Sequence, residues 1–237
     1  MPDSQQIHTT AAPIDTASAE TQVRVWDRFV RVFHWSLVMT FALAYWSAKT
    51  GKHELHAWLG YFLVALVLAR LLWGVYGSRF ARFNNFIHAP TEVLRYLKAI
   101  ASGHPRRYLG HNPAGGVMVI ALLATLAFIA FTGLTVLATI DFDGPLVGTM
   151  KTMSDQEAYA AWSSHAFAVN VILVMVGLHL LGVILASLQH RENLVRAMIT
   201  GYKASDANAD VPPPSPTEDA GRQAPAYSKL AEGNETL

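Results

Sequence analysis

Two histidines, His165 and His179, lie fourteen residues apart in an almost purely apolar stretch of the sequence, 162–188. Fourteen residues of α-helix rise about 21 Å and return to within roughly 40° of the starting face. Such a helix presents both imidazoles on nearly one side, one near each edge of a hydrocarbon layer about 30 Å thick. Because an ionisable residue inside a membrane span is costly, it marks a candidate functional site. The spacing favours two stacked ligands, and a pair of haems, each with a second axial histidine from another helix, is the leading candidate.

The composition indicates which elements would position these histidines. The chain has 237 residues, of which 52% are hydrophobic and only 15% are charged, whereas about a quarter of the residues in a soluble domain are charged. Four apolar segments are long enough to cross a bilayer: 29–48, 55–76, 114–138 and 162–188. The sequence therefore predicts an all-α fold, an integral membrane four-helix bundle with two b-type haems in its core.

The rest of the chain divides around this bundle. One membrane domain is predicted over residues 23–203, with disordered tails at 1–22 and 204–237 because these segments are polar and rich in small residues. Within the domain, apolar and charged residues alternate with helical periodicity over 91–101. This segment is expected to form an amphipathic helix lying on the membrane surface.

The absence of cysteine restricts the chemistry. The sequence has no cysteine, which excludes disulfides, cysteine-ligated iron–sulfur clusters and thiolate-ligated haem. It also excludes covalently attached c-type haem, which requires C-x-x-C-H. Any haem must therefore be b-type. The net charge of +1 gives no sign of a nucleic-acid partner.

The distribution of basic residues predicts the orientation. Arginine and lysine concentrate before the first span, between the second and third spans, and after the fourth: Arg24, Arg28, Arg31, Arg79, Arg82, Arg95, Lys98, Arg106, Arg107, Arg191, Arg196 and Lys203. The other two loops hold only Lys49, Lys52 and Lys151. The positive-inside rule therefore predicts a multi-pass protein of the cell inner membrane with both termini cytoplasmic.

Orientation restricts how the four histidines of the spans can pair. His34 lies about 8 Å, and His179 roughly 12 Å, from the cytoplasmic ends of their spans. His56 and His165 both lie near the start of spans that begin on the opposite side. We therefore expect His34 with His179 at a cytoplasmic-side haem and His56 with His165 at a far-side haem, between facing helices of the bundle.

Other interpretations compete with haem ligation. A single membrane histidine can be satisfied by a backbone carbonyl or a hydroxyl, but four in two depth-matched pairs make coincidence improbable. Zinc prefers four protein ligands in a closed site, and a proton relay would favour carboxylates, which the spans lack. His53, three residues before His56, is the rival ligand, although its position predicts a place in the polar link.

Two further residues near the cytoplasmic ends of the spans have alternative interpretations. Arg70 could bind a propionate of the cytoplasmic-side haem through its forked guanidinium, or it could extend to the surface. His111 could contact a propionate or a quinone headgroup, but a histidine in a capping loop is the favoured interpretation. Asn112 can cap the third span there, and Pro113 suits its first turn.

Several short motifs occur in a fixed order along the chain. They are R-V-F-H-W at 31–35, H-x-x-x-G at 56–60, A-R-L-L-W at 69–73, G-H-N-P at 110–113 and G-L-H at 177–179. In these motifs and in its histidine spacing, the chain resembles bacterial di-haem cytochromes b of the cytochrome b-561 type. That group includes the membrane subunits of nickel–iron hydrogenases. The resemblance covers about 23–202.

The resemblance implies ligation of two haem b groups by His34, His56, His165 and His179. It also implies electron transfer between a membrane quinone and a redox partner. The far-side loops carry Asp141, Asp143, Asp155 and Glu157 against three lysines. This acidic balance favours a basic protein such as a c-type cytochrome. The alternatives are a superoxide oxidase that passes electrons to quinone, and a hydrogenase cytochrome b subunit; an electron-transfer component is favoured over a stand-alone superoxide:quinone oxidoreductase.

Overall fold

The computed structural model describes residues 22–204, which are mainly helical. Its helices and strands are β1 Gln22–Arg24, α1 Arg28–Lys49, α2 His53–Tyr76, α3 Pro90–Ala101, α4 Pro113–Thr139, α5 Val147–Met150, α6 Asp155–Gln189, α7 Leu194–Thr200 and β2 Tyr202–Ala204. In this part of the chain, four helices, α1, α2, α4 and α6, are long and apolar enough to cross a membrane. The predicted all-α membrane bundle is confirmed, and the predicted tails lie outside the described residues apart from Gln22 and Ala204.

Local signals at the helix starts explain where the spans begin. The Asp27 side chain caps α1 by accepting a hydrogen bond from the Val30 amide at 2.8 Å. The Asn112 side chain caps α4 in the same way. At α6, Ser154 and Glu157 form a capping box, in which each side chain satisfies a backbone amide of the first turn. The helix therefore begins at Asp155 and extends the apolar segment 162–188 by two turns toward its N-terminus.

The four spans pack as two helix pairs. α1 packs on α2, α4 packs on α6, and α2 joins the two pairs through α4. The shared core contains Leu63 and Val67 of α2, Leu126 and Ile129 of α4, and Ile172 of α6. Among the described elements, the backbone of α6 is not closely packed against α1 or α2. The first helix pair and α6 therefore meet through side chains rather than through closely packed backbones.

A short antiparallel ribbon closes one end of the bundle. Strand β1 pairs with β2, and the Gly201 carbonyl accepts hydrogen bonds from the amides of Val25 at 2.9 Å and Trp26 at 3.1 Å. Gly201 has a φ of 91°, a left-handed conformation that glycine adopts without strain. We call this the ribbon end. The opposite end, which carries Asp141, Asp143, Asp155 and Glu157, is called the acidic end.

Helix α3 lies in the long connection between α2 and α4. It spans Pro90–Ala101 and contacts α4, close to the predicted helix at 91–101. Tyr96 is its buried side chain, whereas Leu94 and Leu97 are exposed. The helix is therefore anchored to the bundle through one aromatic residue and keeps part of its apolar face outward.

Candidate functional site

His56 of α2 and His165 of α6 face each other near the acidic end. Their ring centroids are 6.2 Å apart, and the ring planes cross at 86°. Two metal–imidazole bonds of about 2 Å, plus about 1 Å from each nitrogen to its ring centre, would place the centroids about 6 Å apart. The two rings therefore have the separation that a single metal ion between them requires.

Backbone carbonyls hold the outer nitrogen of both rings. His56 Nδ1 lies 2.9 Å from the Ala44 carbonyl oxygen of α1, and His165 Nδ1 lies 3.0 Å from the Ile129 carbonyl oxygen of α4. Because a carbonyl only accepts hydrogen bonds, each Nδ1 carries the proton and donates. Each Nε2 is then left with its lone pair, as an axial ligand needs.

Helix α4 contributes no histidine, but two of its residues contact the ring of His165. The Thr132 hydroxyl oxygen lies 3.2 Å from His165 Nδ1. Gly133 lies beside the ring, since a methyl group there would come within 3.1 Å of His165 Cε1. Sequence reasoning identified neither residue as functional, because a threonine and a glycine in an apolar span resemble ordinary packing residues.

His34 of α1 and His179 of α6 form the second candidate pair, near the ribbon end. They lie close enough to interact electrostatically. His34 Nδ1 is enclosed, and within residues 22–204 it has no hydrogen-bond partner. All four histidines predicted as ligands thus lie on α1, α2 and α6, with one member of each pair on α6.

A glycine follows His56 on α2. Gly60 lies one turn after His56 on the same face of α2, and a Cβ atom there would meet nothing within 4 Å. Two imidazoles facing each other, with a glycine clearing room beside one of them, fit a b-type haem. Such a haem would be held by His56 and His165 at the acidic end, and a second one would be held by His34 and His179 at the ribbon end.

Arg70 is buried inside the bundle, with 3% of its side chain exposed. Its Nη2 donates to the Ala81 carbonyl at 3.1 Å, and the guanidinium lies 5.1 Å from the centre of the Phe83 ring. Its Nη1 is enclosed and has no partner in the described part of the chain. Arg70 therefore does not extend to the surface, and one buried donor remains free for an anionic oxygen.

His111 lies inside the ribbon end. Its ring packs between Trp26 and Phe86, each with a centroid distance of 4.7 Å. Burial, together with the nearby charges of Arg70, Lys203 and His179, lowers the pKa of His111 to about 3. The ring is therefore neutral at physiological pH. The Asn112 side chain caps α4, because its Oδ1 accepts a hydrogen bond from the Gly115 amide at 2.7 Å. The His111 side chain is therefore not needed as the cap and is free for another role.

The other histidines of the described chain lie apart from these pairs. His53 and His104 are exposed, and His88 and His190 are half-buried. His53 begins α2, so it does not compete with His56 for the position opposite His165. Among residues 22–204, no three or more histidine, cysteine or acidic side chains cluster to hold a bare metal ion, so the two histidine pairs are the candidate sites.

Comparison with known proteins places the chain in a family. The profile of the prokaryotic cytochrome b561 family matches residues 25–201, which include all the helices and both histidine pairs. Neither the comparison with curated proteins nor that with solved structures gives a match. Members of this family are membrane cytochromes b that bind b-type haem and take part in electron transfer. The chain therefore belongs to the prokaryotic cytochrome b561 family.

Proposed function

We propose that the protein carries electrons across the membrane through two bis-histidine b-type haems, linking a membrane quinone to a redox partner. His56 and His165 are assigned to one haem, and His34 and His179 to the other. The observation that carries the proposal is the 6.2 Å separation of the His56 and His165 rings, with both Nδ1 atoms held by backbone carbonyls. Bis-histidine ligation needs this geometry and this tautomer.

The residues of the chain have separate tasks in this function. When bound, a b-type haem exchanges one electron between ferric and ferrous iron. The Ala44 and Ile129 carbonyls fix the orientation of two imidazoles, and the hydrogen bonds to Nδ1 leave each Nε2 unprotonated. The free Nη1 of Arg70 is assigned to a propionate of the haem at the ribbon end. The apolar helices exclude water from the space between them.

The charges at the two ends support an orientation and a class of partner. Basic residues gather at the ribbon end and in the connection that carries α3, which favours the cytoplasmic side for that end. The acidic end would then face the far side of the inner membrane, where its exposed carboxylates suit a basic protein. A c-type cytochrome is the preferred partner at this end.

Haem stoichiometry and variant spectra test this assignment. A pyridine haemochrome assay of the purified protein should give two haem b per chain. His34→Ala and His179→Ala should each remove one haem and leave the same reduced-minus-oxidised spectrum. His56→Ala and His165→Ala should share the other spectrum, and His104→Ala, which changes an exposed histidine, should retain both haems. Matching spectra for His34→Ala and His165→Ala would refute the pairing.

Two alternatives make different predictions in the same preparation. A superoxide oxidase would be reduced rapidly by superoxide, an anion that positive charge near the far-side site would attract. The acidic end carries the opposite charge, which favours the carrier over this enzyme. A hydrogenase subunit would copurify with a hydrogenase, and a stable complex of that kind would replace the c-type cytochrome as the partner.

A further inference from the structure

The two ligand pairs differ in how their outer nitrogens are held. At the acidic end, both Nδ1 atoms donate to backbone carbonyls, at 2.9 Å for His56 and 3.0 Å for His165. At the ribbon end, His34 Nδ1 is enclosed without a partner, and no described residue hydrogen-bonds the ring of His179. An Nδ1–H···O bond makes an imidazole a more basic ligand, which stabilises ferric iron over ferrous iron. The acidic-end pair is therefore the more electron-donating one.

The surrounding charges act in the same direction. Arg70 is buried near the ribbon-end pair, and His111 interacts electrostatically with both Arg70 and His179. A buried cation near a haem favours the reduced, less positive form. Four acidic side chains are exposed at the other end, at positions 141, 143, 155 and 157. Net charge and hydrogen bonding to the ligands are among the factors that set reduction potentials. Both factors lower the potential at the acidic end relative to that at the ribbon end.

The hydroxyl of Thr132 is a second hydrogen-bond acceptor beside His165. Because it belongs to a side chain, it can be removed by substitution. Its hydroxyl donates to the Phe128 carbonyl at 2.8 Å, which leaves a lone pair on the oxygen. That oxygen lies 3.2 Å from His165 Nδ1, so it accepts from the imidazole alongside the Ile129 carbonyl. Thr132 is 5% exposed, and burial makes such a hydrogen bond stronger than it would be in water.

We propose that the site of His56 and His165 gives its haem the lower of the two reduction potentials. Thr132 is a positioning residue that contributes to this difference through the Nδ1–H of His165. The inference rests on the proposed two-haem function. An electron shared between the two sites at equilibrium then resides mainly at the ribbon end. The direction of spontaneous transfer inside the bundle is from the acidic end to the ribbon end.

Redox titration of the purified full-length holoprotein tests the order of the potentials. The two components are assigned to their sites with His179→Ala, which retains the acidic-end haem, and His56→Ala, which retains the other. The lower potential should belong to the component that survives in His179→Ala. Equal potentials, or the reverse order, would overturn the inference. A preparation with fewer than two haems per chain would instead refute the proposed function itself.

A pair of threonine variants tests the role of Thr132. Thr132→Val should raise the potential of the acidic-end haem and change its ferric electron paramagnetic resonance signal, while the other haem stays unchanged. Thr132→Ser keeps the hydroxyl and should restore the wild-type values. Thr135→Val is the matched control, because Thr135 is equally buried on the same helix but its hydroxyl donates to the Phe131 carbonyl and has no contact with His165. An unchanged acidic-end potential in Thr132→Val with two haems bound would refute the role, and so would an equal shift in Thr135→Val. If Thr132→Val fails to fold, Thr132→Ala with the same titration decides the question.

Discussion

Gly133 of α4 lies directly against the imidazole of His165, so closely that an added methyl group would sit 3.1 Å from Cε1 and 3.3 Å from Nδ1. Few real Cβ contacts are that short, and His165 is also held by the Ile129 carbonyl. The ring would have to move away from its hydrogen-bond acceptor. Gly133 thus determines how near α4 can approach the candidate ligand.

We expect Gly133→Ala to weaken haem binding at the acidic end, because the displaced His165 ring would lose its alignment with His56. Haem content should fall from two toward one per chain, with the spectrum approaching that of His165→Ala. Gly177→Ala is the control: a Cβ there meets nothing within 4 Å, and Gly177 lies two residues from His179, on another face of α6. Full haem content with unchanged potentials in Gly133→Ala would contradict the prediction.

Arg70→Ala should loosen the ribbon-end haem or lower its reduction potential, since a buried positive charge and a free donor are removed. Arg70→Lys should restore the behaviour only in part, because a lysine lacks the forked pair of donors. Separate potentiometric titration of the two haems measures both effects. The control is Arg82→Ala, which removes an exposed arginine from the connection between α2 and α3. Identical reduction potentials in Arg70→Ala and the wild type would refute the proposed contact between Arg70 and a haem propionate.

Reporter fusions should place both chain termini in the cytoplasm. A reporter after Leu237 is expected to be active on the cytoplasmic side, and one inserted at Gly144 on the far side. Gly144 lies in the turn between α4 and α5 and has a φ of 88°, so an insertion there interrupts no helix. The physical reason is the arginine and lysine asymmetry between the two ends. A far-side location for the connection that carries Arg95 would reverse the assignment of both haems.

Neutralising the acidic end should slow electron exchange with a basic c-type cytochrome. The double variant Asp141→Asn/Asp143→Asn changes two exposed carboxylates. Its second-order rate constant at low salt should fall by about tenfold, the lower range of electrostatic steering, and its salt dependence should flatten. Stopped-flow mixing measures this, with Glu92→Gln, an exposed acid on α3, as the control. Rapid reduction of the haems by superoxide, at a rate that these substitutions do not change, would favour the superoxide oxidase instead.

Asp27 gives a pH-dependent prediction. Burial alone would raise the pKa of Asp27, but hydrogen bonds from Ser78, the Val30 amide and Trp73 lower it below 3.8. Because this pKa is lowered, the charged carboxylate stabilises the folded protein at pH values above the ordinary pKa of an aspartate. This contribution to stability is lost as the pH falls through the lowered pKa. Asp27→Asn keeps a good capping residue but removes the charge, so it should destabilise the protein by about 1 kcal/mol at pH 7, the difference between hydrogen bonds to a charged and to a neutral acceptor.

Thermal unfolding in detergent checks this prediction. The difference in Tm between Asp27→Asn and wild type should be largest near neutral pH and should narrow below about pH 4. Asp141→Asn changes an exposed carboxylate and should shift Tm little at any pH. A difference that grows on acidification would show that the charged form of Asp27 is not the stabilising one.

The four spans and their order could be predicted because hydrophobicity and length determine a membrane helix almost alone. The start of α6 was harder to predict, since its first two turns are polar and are fixed by the capping box of Ser154 and Glu157 rather than by hydropathy. The ribbon was not predicted either. Each of its strands has three residues, and the two lie at opposite ends of the described chain, so no local pattern indicates that they pair.

The candidate site, like the fold, could be predicted only in part from the sequence. The four histidines can be proposed as ligands from the sequence because an ionisable side chain is rare in an apolar span. The groups that hold them are not visible in the sequence, because two of them are the backbone carbonyls of Ala44 and Ile129. His111 was interpreted as a capping-loop residue, but the structure packs its ring between Trp26 and Phe86. Only three-dimensional packing distinguishes these roles.

The division of the bundle into two helix pairs has a consequence for how the holoprotein is assembled. α1 and α2 pack together, as do α4 and α6. Under the proposed pairing, the first hairpin supplies His34 and His56, while the second supplies His165 and His179. Neither hairpin alone holds a complete pair of ligands. The hairpins can insert one after the other as they are synthesised, but under this pairing capture of either cofactor must wait until both hairpins are in the membrane. Each cofactor then links the first hairpin to the second through a pair of side chains, in addition to the apolar core that the two hairpins share.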